Sequence, residues 1–109
     1  MVTSPYTIKT EAYQGPFHLL LSLIEERKFF INDLSLSQVT EDYLKYINTM
    51  SEKDTVEISN FIVVSATLIL IKSKSLLPNL ALTDAEKSDI GKLEERLKLY
   101  ELYTDLQNI

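Results

Sequence analysis

The 109-residue chain has no cysteine, one histidine, two arginines, two glycines and three prolines. Without cysteine it can form neither disulfides nor thiolate metal sites, a composition that fits a reducing cytosol. So few glycines and prolines leave little turn chemistry for a many-stranded β fold and favour helices. Gly15 and Gly91 stand alone, so no phosphate-cradling glycine loop is present. His18 falls on the polar face of a helical pattern without the converging ligands a metal site needs, and reads as an exposed or partly packed side chain. Arg27 and Arg96 are far apart in sequence, and the serines have no evident base beside them to make a nucleophile. The adjacent acids Glu25-Glu26, Glu41-Asp42 and Glu94-Glu95 point about 100° apart on a helix, so they read as solvated faces and not as paired catalytic carboxylates. Neither catalysis nor a cofactor nor a metal is expected.

Basic charge is also short. Eleven lysines and arginines face 16 acids, for a net charge of −5. A domain that grips phosphates presents a basic face, and here the lysines are scattered, so direct nucleic-acid binding by this segment is not expected. The opening MVTSPYTIKTEAY lacks the charged-then-apolar order of a signal peptide. The longest apolar run, residues 61–71, contains only Ser65 and Thr67 as polar positions. It falls short of the roughly 20 residues a bilayer crossing takes, and Asn60 and Lys72 do not extend it, so no membrane span is expected.

What the chain does have is helical periodicity. Residues 7–13 alternate loosely, as a short edge strand or extended arm would. Gly15-Pro16 then opens a helix over 16–28, because proline at the first helical position gives up an N–H that has no intrahelical partner. Phe17, Leu20, Leu21 and Ile24 share one face, widened by Leu19 and Leu23. Residues 29–34 form an apolar connection that packs down. The spacing of Ser35 and Gln38 suggests a capping box for a helix over 36–50, with Leu36, Val39, Tyr43, Tyr46 or Ile47, and Met50 inward. Asp54 and Glu57 offer a second box for a helix over 55–77, which Pro78 ends. Thr83 and Glu86 offer a third, for a helix over 84–108 with an interruption near Ser88–Gly91 as an option. The expected fold is all-α, a small bundle of three to four helices, with composition shifting at residues 78–83.

The third helix is apolar nearly all round, and such a helix must be covered all round. Ile58, Ile62, Ser65, Ile69, Lys72 and Leu76 make one stripe, spaced 4-3-4-3-4 like a coiled-coil seam. Phe61, Val64, Leu68 and Ile71 make an adjacent one. Periodicity does not choose which stripe is core; the expectation is that the second is core and the first is an interface.

The order of motifs is similar to the N-terminal domain of the ScpA family, the bacterial kleisin subunits of the SMC condensin complex. An aromatic residue and Gly-Pro lead a leucine-rich helix (YQGPFHLLLSLIEERKFF). Next comes Thr40-Glu41-Asp42-Tyr43-Leu44, and last the run from Ala66-Thr67-Leu68 through Ile71-Lys72-Ser73 to Leu76-Leu77-Pro78. The resemblance covers residues 13–78, and LEERLKLYELY continues it more loosely. Phe17-His18 stands where the family usually has Leu-Asp, and Lys74 where arginine is common. The resemblance implies a non-catalytic adaptor for chromosome condensation and segregation, cytoplasmic and nucleoid-associated. Residues 1–82 would be the helical domain that binds the coiled-coil neck of an SMC protein, through Ile58, Ile62, Ser65, Ile69, Lys72 and Leu76. Residues 83–109 would begin the region that binds a ScpB dimer, with Leu93, Leu97, Tyr100 and Tyr103 facing it. The family's C-terminal winged-helix domain is not found in this sequence, so the chain is expected to be either a fragment or an unusually short relative, with a fragment favoured. The alternative from another class is a self-contained helical interaction or oligomerisation module of a regulator.

Overall fold

Four helices follow one another, α1 (Pro16–Glu26), α2 (Asp33–Asn48), α3 (Thr55–Leu76) and α4 (Asp84–Gln107). The computed structural model describes residues 13–50 and 55–108, and among them there is no strand. Of the stretch expected to be extended, 7–13, only Tyr13 is described, and Asp54 of the second expected capping box also lies outside the described residues.

Local chemistry sets each boundary. Helix α1 stops at Glu26, two residues before the expected end, because Lys28 takes a left-handed conformation (φ 58°). The Lys28 N–H then donates to the Glu25 carbonyl and the Phe29 N–H to the Ile24 carbonyl, both at 3.0 Å, which is the Schellman closure of a helix end. Helix α2 starts at Asp33, three residues earlier than expected. Its cap is Asn32, whose side-chain oxygen accepts from the Ser35 N–H at 2.8 Å; Ser35 is inside the helix and buried. The Thr83–Glu86 box forms as expected, with the Glu86 N–H donating to Thr83 Oγ1 and the Thr83 N–H to Glu86 Oε1. Helix α4 runs unbroken through Ser88 and Gly91.

The core is a single cluster to which every helix contributes. Helix α1 gives Leu19, Leu20, Leu21 and Ile24, α2 gives Leu36, Val39 and Tyr43, and α4 gives Ile90, Leu93 and Leu97. Helix α3 gives Phe61, Val64, Leu68 and Ile71, the stripe expected to be core. Helices α2 and α3 form the most extensive pairing, and α4 packs on both α1 and α3.

Counted as a whole helix, Val56–Leu76 is long and apolar enough to cross a membrane, so the length criterion applied to residues 61–71 alone understates it. One side of α3 is packed against the other three helices through Phe61, Val64, Leu68 and Ile71, and the rest of its apolar surface is exposed.

Candidate functional site

The Thr40-Glu41-Asp42-Tyr43 motif of α2 is explained by what it holds. Tyr43 is fully buried, and its hydroxyl donates to the Phe61 carbonyl of α3 at 2.6 Å. Burial pushes that phenol well above its ordinary range, so it stays a donor. Thr40 Oγ1 donates to the Leu36 carbonyl at 2.7 Å and lies 3.5 Å from the Leu68 carbonyl. Asp42 takes the Arg27 guanidinium at the end of α1. Glu41 lies 4.0 Å from Lys72, and Asp33 lies 3.7 Å from Lys74. The buried Tyr43 and Thr40 hydroxyls therefore help to set the rotation of α3 against α2, and so which face of α3 looks outward, with the two exposed ion pairs alongside them.

That outward face is apolar. Ile62, Ile69 and Leu76 are 51%, 48% and 69% exposed, and they recur every seven residues. Between them run Ser59, Ala66 and Ser73, also seven apart, of which the first two are exposed and Ser73 is half-buried. The expected seam is thus present at Ile62, Ile69 and Leu76, with Ile58 half-buried beside it. Its other two members turn inward: Ser65 is buried with its hydroxyl donating to the Ile62 carbonyl, and Lys72 leans toward Glu41. Ser59, Ala66 and Ser73 take their place. The 59/66/73 repeat is visible in the sequence but carries no large apolar side chain to draw attention to it. Val63 is exposed on the α4 side of the same face.

Beside this face, two adjoining clefts of about 420 and 530 Å³ lie among α1, α3 and α4. Both are lined by Phe17, Val63, Val64 and Arg96. His18 borders the first cleft; its Nδ1 accepts from the Gln14 N–H at 3.0 Å, and its ring lies between Tyr13 and Tyr100. It is a packed surface histidine, and among the described residues no group of three His, Asp or Glu could hold a metal.

On α4 the four residues expected to face a partner do not lie together at the surface. Leu93 and Leu97 are 6% and 0% exposed, Tyr100 is half-buried beside Phe17 and His18, and Tyr103 is exposed. The apolar surface of α4 is instead its last two turns, where Leu99, Leu102, Tyr103 and Leu106 are all more than half exposed. What these faces offer chemically is apolar contact area for other helices.

The chain matches the family model described as Segregation and condensation protein ScpA over residues 23–105. It is similar to proteins named Segregation and condensation protein A from several bacteria. One from Caldanaerobacter subterraneus subsp. tengcongensis is 42% identical over 94 residues, which is 85% of this chain and 38% of the relative. One from Clostridium perfringens is 43% identical over 98 residues, 88% of this chain and 40% of the relative. One from Clostridium botulinum is 44% identical over 96 residues, 86% of this chain and 38% of the relative. The chain therefore spans about two fifths of the length of these relatives. No solved structure matches it.

Proposed function

Because the chain belongs to the segregation and condensation protein ScpA family, we propose that it is a kleisin-type adaptor without catalysis of its own, acting in chromosome condensation and segregation in the cytoplasm, at the nucleoid. In this reading the outward face of α3 docks along the coiled-coil neck of an SMC protein. The observation that carries it is the seven-residue repeat of exposed Ile62, Ile69 and Leu76 with small Ser59, Ala66 and Ser73 between them. A seven-residue repeat keeps a seam aligned with a partner helix over several turns, and small residues in the seam let the two backbones approach closely. Ile58 extends the seam by one turn; Ser65 and Lys72 support it from within.

Binding of a ScpB dimer is the second part of the reading. Tyr100 and Tyr103 are the accessible members of the stripe on α4, with Leu99, Leu102 and Leu106 beside them. Leu93 and Leu97 would join only if α4 left the bundle.

The test is a pull-down with an SMC head that retains its neck. Ile62→Glu and Ile69→Glu place a carboxylate on the exposed seam and are expected to lower binding at least about tenfold, since burying an unpaired charge at a contact is costly. Circular dichroism should show both variants folded. Folded variants that bind as well as the unaltered chain would sink the neck assignment. Self-association abolished by the same substitutions, without any SMC binding, would favour the oligomerisation module instead.

A further inference from the structure

The two clefts among α1, α3 and α4 border the outward face of α3. Ala66, one of that face's small exposed residues, lines the second cleft, and exposed Val63 lines both. Phe17 from α1 and Val64 from α3 give both clefts apolar walls. The α4 side carries charge. Arg96 lines both clefts and Lys92 the second, and both residues are exposed.

Lys92 and Arg96 are four residues apart, so they share one face of α4 and repel each other mildly. Neither forms an ion pair among the described residues, whereas Arg27, Lys72 and Lys74 each have a carboxylate within 4.0 Å. Among the described residues Asp89 is the one acid that lines either cleft, and it is unpaired too. The lining therefore sets two permanent cations against one anion, in a chain whose net charge is −5.

We propose that Lys92 and Arg96 are the charged flank of the α3 surface, holding a carboxylate side chain of the same SMC neck helix that covers Ile62, Ile69 and Leu76. This rests on the reading that the neck lies along that face. In a coiled coil the apolar seam supplies contact area, while charges beside it set orientation and choice of partner. On this side of α3 every residue lining the clefts, from Asn60 to Thr67, is uncharged, so α4 supplies the flank. A partner side chain that passes Val63 or Ala66 enters the cleft and meets a guanidinium, whose planar fork matches a carboxylate. An acidic side chain fits there, and a basic one is repelled.

Affinity of this chain for an SMC head that retains its neck, measured at about 50 and about 500 mM NaCl, separates flank from seam. At low salt Arg96→Glu should weaken binding about tenfold and Lys92→Glu about threefold, since each sets a like charge against the partner's carboxylate. Arg96→Lys keeps the charge and should stay within about threefold of the unaltered chain. At high salt the Arg96→Glu loss should shrink to about twofold, because exposed charges are screened. Ile62→Glu should lose binding at both salts. Circular dichroism should show every variant folded. Loss with Ile62→Glu but none with Arg96→Glu would overturn the flank and leave the seam standing. A salt-sensitive loss with Arg96→Glu but none with Ile62→Glu would overturn the seam, and with it the single helix across both sites. An Arg96→Glu loss equal at both salts would mean lost packing and would overturn the role of charge. Self-association of this chain lost in Arg96→Glu, with neck binding unchanged, would assign the cleft to a second copy and overturn the proposal. No binding by the unaltered chain would overturn seam and flank together.

Discussion

Leu68 and Ile69 are neighbours on α3 with opposite surroundings, and truncating each to alanine tests which face of the helix is core. Leu68 is fully buried, in the same cluster as Leu20, Val39 and Phe61. Removing its branched end leaves a cavity walled by helices that other contacts hold in place, at a cost of about 3 kcal/mol. Ile69 is nearly half exposed, so truncation forfeits less buried area, no enclosed cavity forms, and alanine regains about 0.4 kcal/mol of helix propensity. Its cost should stay below about 1 kcal/mol. At about 2.1 cal/mol/K per residue, 109 residues give an unfolding entropy of about 0.23 kcal/mol/K. Leu68→Ala should therefore lower Tm by about 13 °C and Ile69→Ala by less than about 5 °C. Urea and thermal unfolding followed by far-ultraviolet circular dichroism measure both. Equal losses, or a larger loss at Ile69, would mean that α3 is turned by about one residue (roughly 100°) and that core and outward face have been exchanged.

Two further outcomes follow from single contacts. Tyr43→Phe removes the hydroxyl that donates to the Phe61 carbonyl while leaving the ring in place, so it should cost about 1 kcal/mol, read as a lower urea midpoint at unchanged slope; no loss would mean that the bond does not help to lock α2 on α3. Lys28→Gly should stabilise by about 0.5–1 kcal/mol, because Lys28 closes α1 at φ 58°, where a β-carbon is unfavourable. A Tm that does not rise would show that this backbone strain is already relieved.

How much of this was legible in the sequence depended on whether the signal was local. The inward faces of α1 and α2 could be read from 3.6-residue spacing, and Leu20, Ile24, Leu36, Val39 and Tyr43 are buried accordingly. The Thr83 box could be read because both partners sit within one turn. The start of α2 was misplaced because Asn32 and Ser35 are each good capping residues at overlapping positions, and tertiary burial of Ser35 decided between them. The end of α1 was missed because Lys28 adopts a conformation for which glycine is the usual marker. On the candidate surface, spacing proposed two stripes of α3 but could not rank them. The ranking comes from Tyr43, Thr40 and the Glu41–Lys72 pair, which are contacts between residues far apart in sequence.

The exposed apolar face of α3 has a geometric cause that bears on what it is for. At about 1.5 Å per residue, the 22 residues of α3 span about 33 Å, while the 11 residues of α1 span about 16 Å. Helix α1 can flank only half the length of α3, and α2 packs on α3 through the stripe that is already buried. Helix α4 is long enough, but clefts remain between it and α3 around Val63 and Arg96. These neighbours cover the adjacent stripe of the same helix, Phe61, Leu68 and Ile71, and leave Ile62, Ile69 and Leu76 exposed. The surplus face is therefore built into the helix lengths. A fourth neighbour running alongside α3 would complete its cover, which is the geometry a long coiled-coil helix supplies and a short loop does not.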